Sequence, residues 1–167
     1  MAKKKGIKEQ YVPYTSNGTS CSISYDYTPF LDAKGNENGI GEWYYETFKY
    51  IPSFNTIKCH ILEHYNKKIE NAILTGMTWK NMQVWLSSEN QFNYKAAYDI
   101  AVQTLGKNLP IVFKFGTVDN PIYYEFTTLD ELTDFYFSTM NYIQNTLKKG
   151  WEIKDSINWE LYDKNKK

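Results

Sequence analysis

The sequence predicts an α+β fold, with a helix–hairpin–helix–hairpin–helix domain at residues 51–160 and an extended, β-rich N-terminal arm at 10–50. Three observations predict it. Apolar residues recur at helical spacing in three long segments, and pairs of alternating segments between them are joined by short turns. Strands joined in this way pair antiparallel, which is typical of α+β domains. The segment before residue 51 is rich in aromatic rings and poor in aliphatic side chains.

The N-terminal zone begins with a lysine-rich stretch, and residues 1–9 are predicted to form a flexible basic tail. Asn17-Gly18 is a strong turn signal, and residues 21–27 alternate as a strand does. A polar loop at 32–41 precedes a second, aromatic strand at 43–50. Because the zone has few aliphatic residues, we expect its rings to be covered by the rest of the chain or by another chain.

The predicted domain starts with a helix over 52–70, which has Pro52 in its first turn. A hairpin is predicted at 72–87, turning at Gly76, and a helix at 89–105 that Ser88 caps. Strands follow at 111–115 and 122–126. Thr128 to Glu131 is a capping box that starts a helix ending at Gly150. A short helix over 151–159 and a frayed tail at 161–167 complete the chain.

Composition excludes some functions. The formal net charge is zero, from 19 basic and 19 acidic residues, and every basic residue is lysine. Arginine provides the planar group that reads guanine and clamps phosphate, so specific nucleic-acid binding is not expected. No apolar run is long enough to span a membrane, and the basic first ten residues are no secretion signal. We therefore expect synthesis in a cytoplasm, with Cys21 and Cys59 as free thiols.

The sequence His60-Ile61-Leu62-Glu63-His64 matches the H-x-x-E-H pattern of inverted zinc proteases. Two histidines at i and i+4 share a helix face, and Glu125 or Glu131 would have to supply a third ligand. The helical pattern instead places both histidines at the solvent edge of the core face. We therefore predict no metal site and no cofactor, keeping His60 and His64 as a weak candidate pair.

Other catalytic arrangements are not predicted. Cys59 is adjacent to His60, but successive residues on a helix point about 100° apart. Asp130, Glu131 and Asp134 cluster at a predicted helix start, where acidic side chains are favoured by the helix dipole. We expect no catalytic residue, and no enzymatic activity. The 17% aromatic content favours a protein interface over stacking on sugar rings.

Residues 69–158 resemble an uncharacterised domain family of tailed phages, encoded near tail and fibre genes. The resemblance lies in Gly76, Trp79 and Val84-Trp85-Leu86, in the segment from Phe126 to Tyr136, and in the segment from Gly150 to Ile157. The arginine-free composition, rich in Lys, Asn and Tyr, also resembles virion proteins of crAss-like phages of Bacteroidales. The resemblance implies a virion role and transfers no active-site residue.

The resulting expectation is a non-enzymatic structural component of a bacteriophage virion, assembled in the host cytoplasm. It would be present in several copies at the tail, collar or fibre base, as a symmetric homo-oligomer that contacts other virion proteins. The alternatives are a glycan-binding module, a tail-fibre assembly factor and, remotely, a zinc hydrolase. Predicted partner contacts are all aromatic residues of the arm: Tyr11, Tyr14, Tyr25, Tyr27, Phe30, Trp43 and Tyr44.

Overall fold

The structure is a computed structural model that describes residues 2–163, and over these residues it is a mixed α/β fold with three α-helices and three antiparallel sheets. The helices are α1 (Phe54–Thr75), α2 (Ser88–Gln103) and α3 (Leu129–Asp155). The strands are β1 (Ala2–Ile7), β2 (Tyr14–Ser16), β3 (Cys21–Leu31), β4 (Glu37–Phe48), β5 (Met77–Trp79), β6 (Met82–Val84), β7 (Ile111–Gly116) and β8 (Pro121–Phe126). Short 3-10 helices lie at Lys8–Gln10 and Trp159–Tyr162.

The predicted fold class is wrong. The described chain divides into two compact units, residues 2–64 with 156–163 and residues 65–155, and the division falls inside α1. There is consequently no separate helix–hairpin–helix–hairpin–helix domain over 51–160. The predicted extended arm is instead most of a folded, sheet-rich unit.

The first unit is built on a four-stranded antiparallel sheet with the order β1-β4-β3-β2. Strands β3 and β4 form its centre and pair over most of their length, from Cys21 opposite Phe48 to Leu31 opposite Glu37. The register shifts between Tyr25 and Thr28, which marks a β-bulge. One face of this sheet is buried within the unit.

Aromatic side chains provide much of the core of the first unit. Tyr25 and Trp43 are each 1% exposed. The buried apolar residues of the unit are Tyr14, Cys21, Ile23, Tyr25, Trp43, Ile57, Ile61 and Tyr162. A buried ring removes about 150–250 Å² from water, so a few rings replace many aliphatic side chains. The largest rings of this segment are therefore covered within the unit itself.

The lysine-rich N-terminus is an ordered edge strand rather than a flexible tail. Strand β1 pairs with β4 from Ala2 opposite Tyr45 to Ile7 opposite Ile40. Lys3 forms an ion pair with Glu42 of β4. Lysines on an edge strand also oppose pairing with a foreign strand. At the other end, the predicted tail over 161–167 begins inside the second 3-10 helix, and residues 164–167 lie outside the described part.

The second unit packs two hairpins against α2 and α3. Its buried core contains Met77, Trp79, Met82, Val84, Leu86, Tyr94, Ala101, Phe115, Phe126, Leu132 and Phe135. Trp79 stacks on Phe126 with ring centroids 5.4 Å apart and meets Phe135 edge-on at 5.2 Å. Trp79 and Leu86 are therefore core residues.

Three element boundaries differ from the prediction. Helix α1 continues to Thr75, and the first hairpin turns at Lys80 and Asn81, whose φ angles of 46° and 62° suit a two-residue hairpin turn. Helix α3 continues through Gly150 to Asp155, so the separate helix at 151–159 is wrong. Gly150 is buried against Ile69, where a β-carbon would collide, so it marks a close approach of two helices.

Candidate functional site

The two histidines of the H-x-x-E-H pattern lie in the first unit, on the part of α1 that faces the sheet. His64 Nε2 donates to Asp26 Oδ2 at 2.7 Å, and both side chains are only 9% exposed. His60 Nε2 lies 3.3 Å from the Tyr25 hydroxyl and 3.9 Å from Glu46 Oε2. His64 is therefore a core residue, not a histidine at the solvent edge of the helix.

The position of Asp26 depends on the β-bulge of β3. Its φ of 55° lies in the left-handed region that non-glycine residues rarely adopt. The bulge turns the Asp26 carboxylate toward His64. Beside it, the Tyr25 ring packs edge-on against both imidazoles, with centroids 5.9 Å and 5.1 Å away. Burial raises the pKa of the Tyr25 hydroxyl, so this hydroxyl stays protonated at neutral pH.

The two histidines have different partners in this arrangement. Asp26 holds His64, while Glu46 and Tyr25 lie beside His60. Within residues 2–163, no three His, Cys, Asp or Glu side chains lie close enough together to hold a metal ion. The pairs satisfy polar groups that α1 and the sheet bury, which is a structural role.

The predicted partner contacts fall into two groups. Tyr14, Tyr25 and Trp43 are buried in the first unit and are core residues of it. Tyr11, Tyr27, Phe30 and Tyr44 are half-buried. The rings of Tyr11, Tyr27 and Trp43 lie within 6.2 Å of one another, so Tyr11 and Tyr27 also pack inside the unit.

A polar cluster in the second unit was missed by the sequence analysis. Lys80, at the turn between β5 and β6, forms an ion pair with Glu131 and donates to the Tyr124 hydroxyl at 2.9 Å. Tyr124 in turn donates to Glu131, and Trp79 Nε1 donates to Asp134 at 3.0 Å. The side chain of Glu131 is thus engaged with the hairpins, and the capping box is only half formed, by Thr128.

The electrostatics of this cluster follow from its ion pair. The Lys80 ammonium and then the Tyr124 hydroxyl hold the pKa of the Glu131 carboxyl below its usual range. The same carboxylate raises the pKa of Lys80. Both side chains are partly exposed, so the cluster fastens the two hairpins to the first turn of α3 at modest energy.

A partly exposed aromatic cluster is the second feature that the sequence did not predict. Tyr98 of α2 stacks on Tyr136 of α3 with centroids 4.4 Å apart and planes 12° from parallel. Phe137 lies 6.0 Å from Tyr98 and 6.1 Å from Tyr136, and it is 53% exposed. We call Tyr98, Tyr136 and Phe137 the ring patch. The contact between α2 and α3 brings Tyr98 to Tyr136 and Phe137. No pattern of sequence spacing predicts such a contact between two helices.

The tryptophan rings, which are candidates for stacking on a sugar, are mostly engaged within the protein. Trp43 is 1% exposed and Trp79 is 6% exposed. Trp85 is half-buried and donates its ring N–H to the Gly116 carbonyl at 2.9 Å. Trp151 is 52% exposed. These positions offer no set of coplanar exposed rings for a sugar.

Comparison with known proteins adds no relative. No protein-family model matches the chain, and no curated protein or solved structure is significantly similar to it. In the described chain, no helix is long and apolar enough to cross a bilayer.

Proposed function

We propose that the chain is a non-enzymatic structural component of a bacteriophage virion that assembles through the ring patch of its second unit. The ring patch carries this proposal. Aromatic side chains offer large contact area at low cost in rotamer entropy and are enriched at interface centres. Phe137 leaves half its surface in water although two tyrosine rings already hold it in place.

The resemblance to the phage domain family also favours an assembly role for the second unit. It covers residues 69–158, and the second unit covers residues 65–155. We place the assembly surface in this segment and not in the N-terminal arm, because the principal rings of the arm are buried. Virion proteins occur in symmetric sets, in which one surface is repeated on every copy. We therefore propose homo-oligomer formation together with contacts to other virion proteins.

The first experiment asks whether the protein is part of the particle. Mass spectrometry of purified, gradient-banded particles should detect the chain at several copies per particle. A chain found only in the lysate, and never with particles, would reject the virion proposal and favour an assembly factor.

The second experiment asks whether the ring patch mediates assembly. Light scattering of the purified full-length chain should show an oligomer, which Phe137→Ser weakens about tenfold or more, as expected for an interface hot spot. The matched control is Phe92→Ser, since Phe92 is 71% exposed on α2 and is not part of the ring patch. Equal effects of both substitutions, or a wild-type chain that is monomeric, would contradict a role of the ring patch in self-association.

A further inference from the structure

The second unit contains a groove between α1 and α3 that neither the histidine motif nor the ring patch involves. Its volume is about 320 Å³. Its apolar floor includes Ile69 and Ala72 from α1 and Ile153 from α3. We call it the α1–α3 groove. Ligand pockets run from about 300 to 1,000 Å³, so its size suits one small molecule.

The shape of the groove follows from contacts between its two helices. Gly150 has no side chain, and Ile69 occupies the space that a β-carbon there would need. Nearby, the Tyr142 hydroxyl donates to the Ala72 carbonyl at 2.7 Å, and the Thr146 hydroxyl donates to the Tyr142 carbonyl at 2.8 Å. The hydroxyls of Tyr142 and Thr146 are thus bonded within the protein, which leaves the groove with mainly apolar walls.

The charged side chains that line the groove are two lysines, Lys68 of α1 and Lys149 of α3. Among the described residues that line it, none is acidic. Lysine is a compact point charge on a flexible stem, so it follows a carboxylate without demanding a fixed geometry. A ligand that matches this lining has an anionic head and an apolar body.

We propose that the α1–α3 groove binds a free fatty carboxylate of medium chain length. Its alkyl chain lies on Ile69, Ala72 and Ile153, and its carboxylate meets Lys68 and Lys149. Each buried methylene strengthens binding about fourfold. The small volume sets an upper limit on chain length, so affinity should rise from hexanoate to about decanoate and then stop rising.

Isothermal titration of the full-length chain with sodium decanoate, below its micelle concentration, tests this. We expect one saturable site per chain. The double variant Lys68→Gln/Lys149→Gln should weaken decanoate binding about tenfold, as expected for two exposed charge contacts, and should leave decanol binding unchanged. Ala72→Phe should fill the groove and abolish both.

The control variant is Lys67→Gln/Lys148→Gln, which removes the same charge from adjacent positions that do not line the groove. It should bind decanoate as the wild type does. An equal loss in both double variants would mean that only the general surface charge attracts the ligand. The absence of saturable binding, or affinity that keeps rising beyond decanoate, would also overturn the proposal.

Discussion

Replacing Trp43 with alanine distinguishes a folded first unit from an extended arm. Trp43 is 1% exposed, and its ring lies 5.9 Å from that of Tyr11 and 6.2 Å from that of Tyr27. A buried tryptophan removes about 200 Å² from water, which at about 25 cal/mol per Å² contributes about 5 kcal/mol. Large-to-small substitutions of buried rings cost about 3–5 kcal/mol. Since a domain is stable by about 5–15 kcal/mol, Trp43→Ala should remove a large part of that stability.

Urea unfolding followed by far-ultraviolet circular dichroism measures the loss, and hydrogen exchange locates it. Amides of β3 and β4 should lose protection in Trp43→Ala. The control Trp151→Ala removes the same side chain from a 52% exposed position and should change stability by about 1 kcal/mol or less. If Trp43→Ala unfolds at the wild-type urea concentration but fails to assemble, Trp43 contacts a partner and is not a core residue of the first unit.

Two further predictions concern pH and thiol reactivity. Because Lys80 and Tyr124 lower the pKa of Glu131, its carboxylate stabilises the fold above pH 4.5, the ordinary value, and loses this effect as the pH falls through the lowered pKa. Glu131→Gln should therefore be less stable than the wild type at pH 7, and urea titrations should show this difference in stability closing as the pH falls below 4.5. A difference that does not depend on pH contradicts this. Cys59 is exposed and Cys21 is 2% exposed, so a thiol reagent should modify only Cys59 in the folded chain and both in urea. Fast labelling of Cys21 without urea is incompatible with a folded four-stranded sheet.

Local patterns predicted several elements because these elements depend on local chemistry. The alternation of residues 111–115 and 122–126 identifies side chains that face opposite sides of a strand, and both segments lie within β7 and β8. The helix at 89–105 was likewise predicted from its serine cap. Its cap is Ser87 rather than Ser88, since the Ser87 hydroxyl accepts from the Asn90 amide.

The wrong predictions concern residues whose role depends on a contact with a distant part of the chain. Gly150 has the local signature of a helix end, yet it is buried inside α3 because Ile69 occupies the space beside it. Glu131 has the local signature of a capping box, yet its carboxylate binds Lys80 of the hairpin turn. In both cases the contact forms because two elements pack together. The periodicity of apolar residues predicts each element but not which elements pack together.

The prediction of an extended arm was wrong because it assumed that only aliphatic side chains form a hydrophobic core. Tyr25 and Trp43 are covered as completely as Ile23, and Tyr162 closes the same core while donating its hydroxyl to the Ser24 carbonyl at 2.8 Å. Tyrosine can be buried in this way when its hydroxyl finds an acceptor. Aromatic abundance is therefore a reason to propose an interface only where a ring stays exposed, and the proposal for the ring patch depends on Phe137 in this way.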